Sequence, residues 1–110
     1  MRADGRERFR QRVTLWRWTA ASGGSWFFLR FTGEVAEAIS ALALMRRLET
    51  GKRRGWGSLK VEARVGETRW ASSIFPSDEG SWLLPVKRAV REAEGLAEDE
   101  ETEVEVEVLL

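Results

Sequence analysis

The sequence predicts a mainly β domain carrying two α-helices, and three observations make that prediction. Short runs alternate apolar with charged residues, most cleanly at Leu59, Val61, Ala63 and Val65 against Lys60, Glu62 and Arg64, which is the period of a half-buried strand. Two longer stretches space their apolar residues by three and four instead, as an amphipathic helix does. Glycine, serine and proline punctuate the boundaries between them. At 110 residues the chain suits one hydrophobic core, with residues 1–7 as a flexible arm and residues 8–110 as a single domain.

Each element follows from its residues. In residues 8–18, Phe9, Gln11, Val13 and Leu15 share one face, while Arg8, Arg10, Arg12, Thr14, Trp16 and Trp18 share the other, so one side is core and the other is basic and then aromatic. Residues 20–24 are small and turn-forming, and residues 25–31 make a second strand apolar enough on both faces to be covered on both. Thr32 is placed to cap a helix over residues 33–48, whose expected buried stripe is Val35, Ala38, Ile39, Leu42 and Met45. Residues 50–57 break that pattern and read as a surface loop. The strand at 59–65 turns at Gly66-Glu67, where glycine supplies positive φ, into a partner over 68–75. Trp82, Leu83 and Leu84 form a short strand leading into a helix expected over 85–94, with Pro85 in its first turn and Val86, Ala89, Val90 and Ala93 on its buried face. Gly95 then accepts the left-handed turn that ends the helix, with Leu96 folding back against it. The last strand sets Val104, Val106 and Val108 inward against Glu103, Glu105 and Glu107 outward, a register that a one-residue slip would destroy.

Composition narrows function by exclusion. Cysteine and histidine are both absent, which removes disulfides, thiolate metal sites and the commonest general base. No apolar run reaches the ~20 residues of a membrane-crossing helix, and the arginine-rich start is not followed by the apolar segment of a signal sequence. A cytoplasmic protein is expected. Residues 1–70 carry 15 Lys/Arg against 7 Asp/Glu and residues 71–110 carry 3 against 11, so the halves stand near +8 and −8. The expected resolution is that the two halves interleave and opposite charges become neighbours. Ser25-Trp26 before an apolar pair, a helix and a strand is echoed by Ser81-Trp82 before the same succession, which suggests two copies of one unit.

A resemblance rests on several of these residues together. Gly55-Trp56-Gly57-Ser58 ahead of a valine-bearing strand, Trp70, Ser73 and Phe75-Pro76, and above all Leu84-Pro85-Val86-Lys87 with Ala89-Val90-Arg91 and Glu94-Gly95-Leu96 resemble the bacterial and archaeal domain-of-unknown-function family number nineteen-oh-five, over residues 9–108. The resemblance implies a small closed double-split β-barrel of six or seven strands with two helices. That fold is shared with the swapped-hairpin DNA-binding domains of transition-state regulators and antitoxins, and the family has no established activity. Those regulators pair two chains to close one barrel, whereas two units in one chain close it alone, so a monomer is expected.

Three groups of residues are candidates for function. Arg53, Arg54 and Trp56 combine cations, an aromatic and irregular backbone, suited to a phosphate and a stacked ring; the bland alternative is a solvated loop whose tryptophan folds into the core. Lys87 and Arg91, four apart on one helical face, could hold a carboxylate or phosphate. Together these five residues form the expected ligand-binding surface for a small anionic ligand or a protein partner. Arg8, Arg10, Arg12, Trp16 and Trp18 form a possible nucleic-acid surface, with the alternative that the tryptophans are covered and the arginine stems lie along them. No catalytic residue, metal site or cofactor is expected, because Ser72 and Ser73 have no base to activate them and the glutamates of the last strand line a face without converging on a point. A non-catalytic binding module is the leading expectation, a nucleic-acid binder the second, and an enzyme using carboxylate chemistry the third.

Overall fold

The computed structural model describes residues 7–50 and 57–109. Its elements are β1 (Glu7–Thr19), β2 (Ser25–Phe31), α1 (Gly33–Thr50), β3 (Leu59–Val65), β4 (Thr68–Pro76), β5 (Trp82–Pro85), α2 (Arg88–Glu94) and β6 (Glu101–Val108), with a 3-10 turn at Asp78–Gly80. The six strands close into one barrel in the order β1-β2-β5-β4-β3-β6. Every pairing is antiparallel.

The inward positions are those the alternation assigns. Val13 and Leu15 of β1, Val61, Ala63 and Val65 of β3, and Val104, Val106 and Val108 of β6 are buried together. α1 lies at the end of the barrel where β4 connects to β5: its Ser40 Oγ accepts a hydrogen bond from Trp82 Nε1 at 2.9 Å. α2 lies at the opposite end, where Glu94 accepts from Thr68 Oγ1 at 2.5 Å beside the β3–β4 turn. Gly66 takes φ 59 in that turn, as the sequence required. Gly95 takes φ 62, and Leu96 N–H reaches back to the Arg91 carbonyl at 2.9 Å, the six-to-one bond of the expected helix cap.

Exchanging β1, β2 and β3 for β4, β5 and β6 reproduces every neighbour pair of the closed sheet. The chain is therefore built from two copies of a strand-strand-helix-strand unit, facing each other across β2 and β5. In each unit the first strand changes partner part-way. β1 pairs with β6 through Glu7 to Thr14 and with β2 from Leu15 onward; β4 pairs with β3 as far as Ile74 and with β5 at Phe75 and Pro76. The Ser-Trp echo that suggested the repeat is out of phase with it. Trp26 points outward and Trp82 is buried, so an odd offset, not the even one of the motif, superposes the inward faces.

Four expectations are corrected. α2 begins at Arg88 rather than Pro85, because Pro85 is the last residue of β5, opposite Phe28 of β2. Val86 donates to the Phe27 carbonyl at 2.9 Å, so strand alternation turns the nitrogen of Pro85 toward β4. Proline has no N–H to donate there, and the β4–β5 ladder stops at Phe75 and Leu83. The buried side of α2 is narrower than expected: Val90 is buried with Val86 ahead of it, while Ala89 and Ala93 are exposed. On α1 the stripe holds at Val35, Ile39 and Leu42 but takes in Ala36 while Ala38 is exposed and Met45 57% exposed; alanine and leucine on several faces leave the spacing unable to set its edges. Finally, β2 is covered on its inner face only, since Trp26 is 48% exposed on the outer one.

Candidate functional site

Where β1 and β4 change partner, the barrel wall parts into two seams. The first lies between the N-terminal half of β1 and the chain leaving β2. It is spanned by one side chain: Gln11 Nε2 donates to the Thr32 carbonyl and Gln11 Oε1 accepts from Thr32 N–H, both at 3.0 Å. An amide side chain here does the work of a ladder residue.

The second seam, between β4 and the chain leaving β5 at Pro85, holds an open cavity of about 280 Å³. Its walls are Trp26, Phe27, Trp70, Pro85 and Val86, with the Ser25 and Ser72 hydroxyls and the basic Lys87 and Arg91 completing the lining. The backbone also contributes. The Lys60 carbonyl accepts from Leu109 N–H next to β6, so Leu59, Val61 and Ala63 turn their polar groups to β4, and their register partners Ile74, Ser72 and Trp70 turn theirs to β3. By alternation, Ala71 and Ser73 face the seam. The residue that would continue the ladder opposite Ala71 is Lys87, but its carbonyl accepts from Val90 and Arg91 as α2 begins. An edge donor and acceptor therefore remain at Ala71.

The structure brings Lys87 and Arg91 to this cavity and gives them different states. The Arg91 guanidinium sits 3.8 Å from the centre of the Phe27 ring, and its Nε donates to the Val86 carbonyl at 3.3 Å. It is held by a cation–π contact and a backbone bond. Lys87 is exposed and has no ion-pair partner among the described residues. Arg53, Arg54 and Trp56 lie outside the described residues. The described end of their loop, Gly57, sits near Pro76, at the far end of β3 from α2.

The surface proposed for nucleic acid divides in two. Arg8, Arg10 and Arg12 face β6, within 3.5 Å of Glu107, 3.8 Å of Glu105 and 3.0 Å of Glu101 respectively. Glu105 also accepts from Arg64 at 2.7 Å, and that hydrogen bond holds its carboxyl below the usual carboxylate range. Opposite charges from the two ends of the sequence are thus neighbours in space. Trp16 and Trp18 belong to the other half of the outer surface. Trp16 packs on Phe28 and Trp18 on Trp26, each pair with ring centres 5.2 Å apart, and Arg30 lies over Trp16 at 5.1 Å. Trp18 and Trp26 remain 50% and 48% exposed, so neighbouring strand residues, not a helix, flank the tryptophans.

Sequence reasoning singled out neither Gln11 nor the Trp26, Trp70 and Ala71 side of the cavity. For Gln11 a signal existed: it is a polar residue at an inward position of an otherwise apolar face. For Ala71 there was none, because its free edge is created where Lys87, sixteen residues away, turns into α2.

With this geometry in view, the comparison with known families becomes informative. Residues 12–106 match the family described as Domain of unknown function (DUF1905). The chain belongs to this family. No curated protein matches it. The DUF1905 match runs from the basic face of β1 through both seams into β6, so the whole barrel, and not one motif, carries the relationship. No helix among the described residues of this DUF1905 domain is long and apolar enough to cross a membrane.

Proposed function

We propose that this DUF1905 domain is a monomeric, non-catalytic, cytoplasmic binding module whose ligand, a small anion with an apolar body, occupies the second seam. The observation that carries the reading is the cavity itself: aromatic and proline walls with two cations at one side, and no carboxylate in its lining among the described residues. An apolar pocket with a few convergent polar groups is the usual form of a small-ligand site. The same lining supplies no acid–base pair, which favours binding over chemistry. Arg53 and Arg54 join the proposal as cations whose part is tested separately.

A thermal-shift screen of small aromatic and aliphatic anions tests the reading. A hit should raise the melting temperature of the wild-type domain, and Lys87→Ala should remove most of the rise, while an Arg53→Ala, Arg54→Ala double variant reports whether the loop takes part. No stabilisation by any anion, or stabilisation unchanged in a Trp26→Ala variant, would count against the seam. Sedimentation at micromolar concentration tests the monomer, and a stable dimer would overturn it.

Trp18 and Trp26 favour a second reading, because two exposed indoles packed side by side at a tilt of 40° offer ring faces on which unpaired bases stack. Affinity for single-stranded nucleic acid that falls steeply with salt would support it.

A further inference from the structure

We infer that the second seam recognises an N-acylated apolar amino acid with a free α-carboxylate, whether as a small molecule or as the C-terminal residue of a peptide. The inference rests on the reading of the seam as a ligand site and names what the site takes.

Three features, each at a different part of the seam, match three parts of such a ligand. Ala71 presents a backbone N–H and C=O to a place where β5 has already turned away at Pro85 and Lys87 has committed its carbonyl to α2. Edge groups of that kind pair with another amide in extended conformation, as in strand addition, and leaving them unpaired in a site emptied of water is costly. In an extended N-acyl amino acid the amide N–H and the carboxyl group flank one Cα and point to the same edge, so the N–H donates to the Ala71 carbonyl and one carboxylate oxygen accepts from the Ala71 N–H, leaving the other oxygen to the cations. A longer strand does not fit, because α2 closes the slot beyond Ala71 and β5 pairs with β4 from Phe75 onward.

The second feature is the wall of Trp26, Phe27, Trp70, Pro85 and Val86. It takes an aromatic or branched side chain, and a cavity of about 280 Å³ lies at the lower end of the range for small-ligand sites, which suits one residue and excludes a large cofactor. The third is charge. Lys87 stands exposed at the cavity without an ion pair among the described residues, Arg91 is fixed beside it on Phe27, and no carboxylate faces them in the lining. An anionic group is attracted and a cationic one repelled.

The test compares four probes on the intact domain: N-acetylphenylalanine, its C-terminal amide, 3-phenylpropionate, and an acetylated tetrapeptide of three glycines ending in phenylalanine. Affinity is read by tryptophan fluorescence, and contact by the nitrogen–proton NMR signal of Ala71. N-acetylphenylalanine should bind and move the Ala71 signal. Its amide and 3-phenylpropionate should each bind about tenfold more weakly or worse, the first lacking the carboxylate and the second the acyl amide. In Lys87→Ala the preference for acid over amide should vanish while the Ala71 shift persists, an outcome that mere loss of folding would not give. A tetrapeptide that binds more tightly than N-acetylphenylalanine identifies a peptide C-terminus as the source, and one that binds no better identifies the free acyl amino acid; both support the chemistry. Equal affinity for N-acetylphenylalanine and 3-phenylpropionate, or an unmoved Ala71 signal, would overturn the inference. Binding of some other anion at Trp26 and Lys87 with no response to any acyl amino acid would overturn it too and leave the seam reading intact, whereas silence to every anion removes both.

Discussion

The two seams occupy equivalent places in the two units, yet one is shut and the other open. At the first, Gln11 reaches across and exchanges two hydrogen bonds with Thr32, and an 18-residue helix follows directly. At the second, Pro85 withholds the donor that would have extended the β4–β5 ladder, Ala71 keeps its edge groups, and a helix of 7 residues covers only part of the gap. The topology is the same on both sides, so the difference is made by a handful of side chains. What it teaches is that a duplicated architecture can seal one copy of a weak point and leave the other open. Binding sites gather where local rules are broken and the surroundings compensate.

The comparison can be broken or sharpened by substitution, and the largest effects lie on the line between the units. Leu29 and Leu84 are register partners across β2 and β5 and both are fully buried. Leu29→Ala and Leu84→Ala should each cost about 3 kcal/mol by urea unfolding; costs that differ by more than about half of that would show that the units do not share the core evenly. Gln11→Ala should come next. It exchanges two solvent-exposed hydrogen bonds for water, at about 0.5 to 1.5 kcal/mol, and amide exchange at Thr32 should quicken while exchange around Ala71 stays as it was. A smaller change is expected from Pro85→Ala, which supplies an N–H facing the Ser73 carbonyl. Loss of proline rigidity and gain of a ladder bond nearly offset, within about 1 kcal/mol, but the new amide should be slow to exchange and any seam ligand should bind less tightly.

The smallest effect concerns the charged outer face. Arg64 lowers the Glu105 value, so this carboxylate contributes stability that is fully present above its unfolded value of about 4.3 and is lost as pH falls through the lower folded one. Glu105→Gln should flatten the acid limb of a stability-against-pH curve while changing little at neutral pH, where exposed pairs of this kind contribute about 1 kcal/mol or less. A wild-type curve with no slope below pH ~4.3 would contradict the assignment.

Most of the barrel was legible because its signals are local. Alternation in β1, β3 and β6, glycine at the 66 turn and the cap at Gly95 each depend on a few neighbouring residues and on backbone geometry. The misreadings share a different cause. Pro85 looks like the first turn of a helix when only its neighbours are considered; that it ends a strand depends on Phe28 of β2, which is distant in sequence. The stripe of α1 held at Val35, Ile39 and Leu42 and failed at Ala38 and Met45, because apolar residues surround the helix and packing against the barrel end, not periodicity, brings in Ala36. Of the candidate site, Lys87 and Arg91 could be grouped from sequence because one precedes the short helix and the other lies one turn into it. The aromatic residues around them were not, since Trp26 and Trp70 come from β2 and β4, which stand on either side of a gap that no single stretch of sequence describes. The charge asymmetry was resolved as expected, because the arginines of β1 and the glutamates of β6 are cross-strand neighbours.

The duplicated pairing also bears on how the chain could be rewired. Val65 and Thr68 are partners joined by the two residues of the Gly66-Glu67 turn, and Val108 and Glu7 are partners in the same sense across β6 and β1. A two-residue tie from Val108 to Glu7 would repeat the existing hairpin at the symmetry-related corner, and opening the resulting ring at Gly66-Glu67 would yield a permuted chain that starts at Thr68 and ends at Val65. Such a chain would enter the barrel through the half that carries the open seam and finish with the half that carries the closed one, so the order in which the two halves emerge during synthesis would be reversed while every strand kept its neighbours.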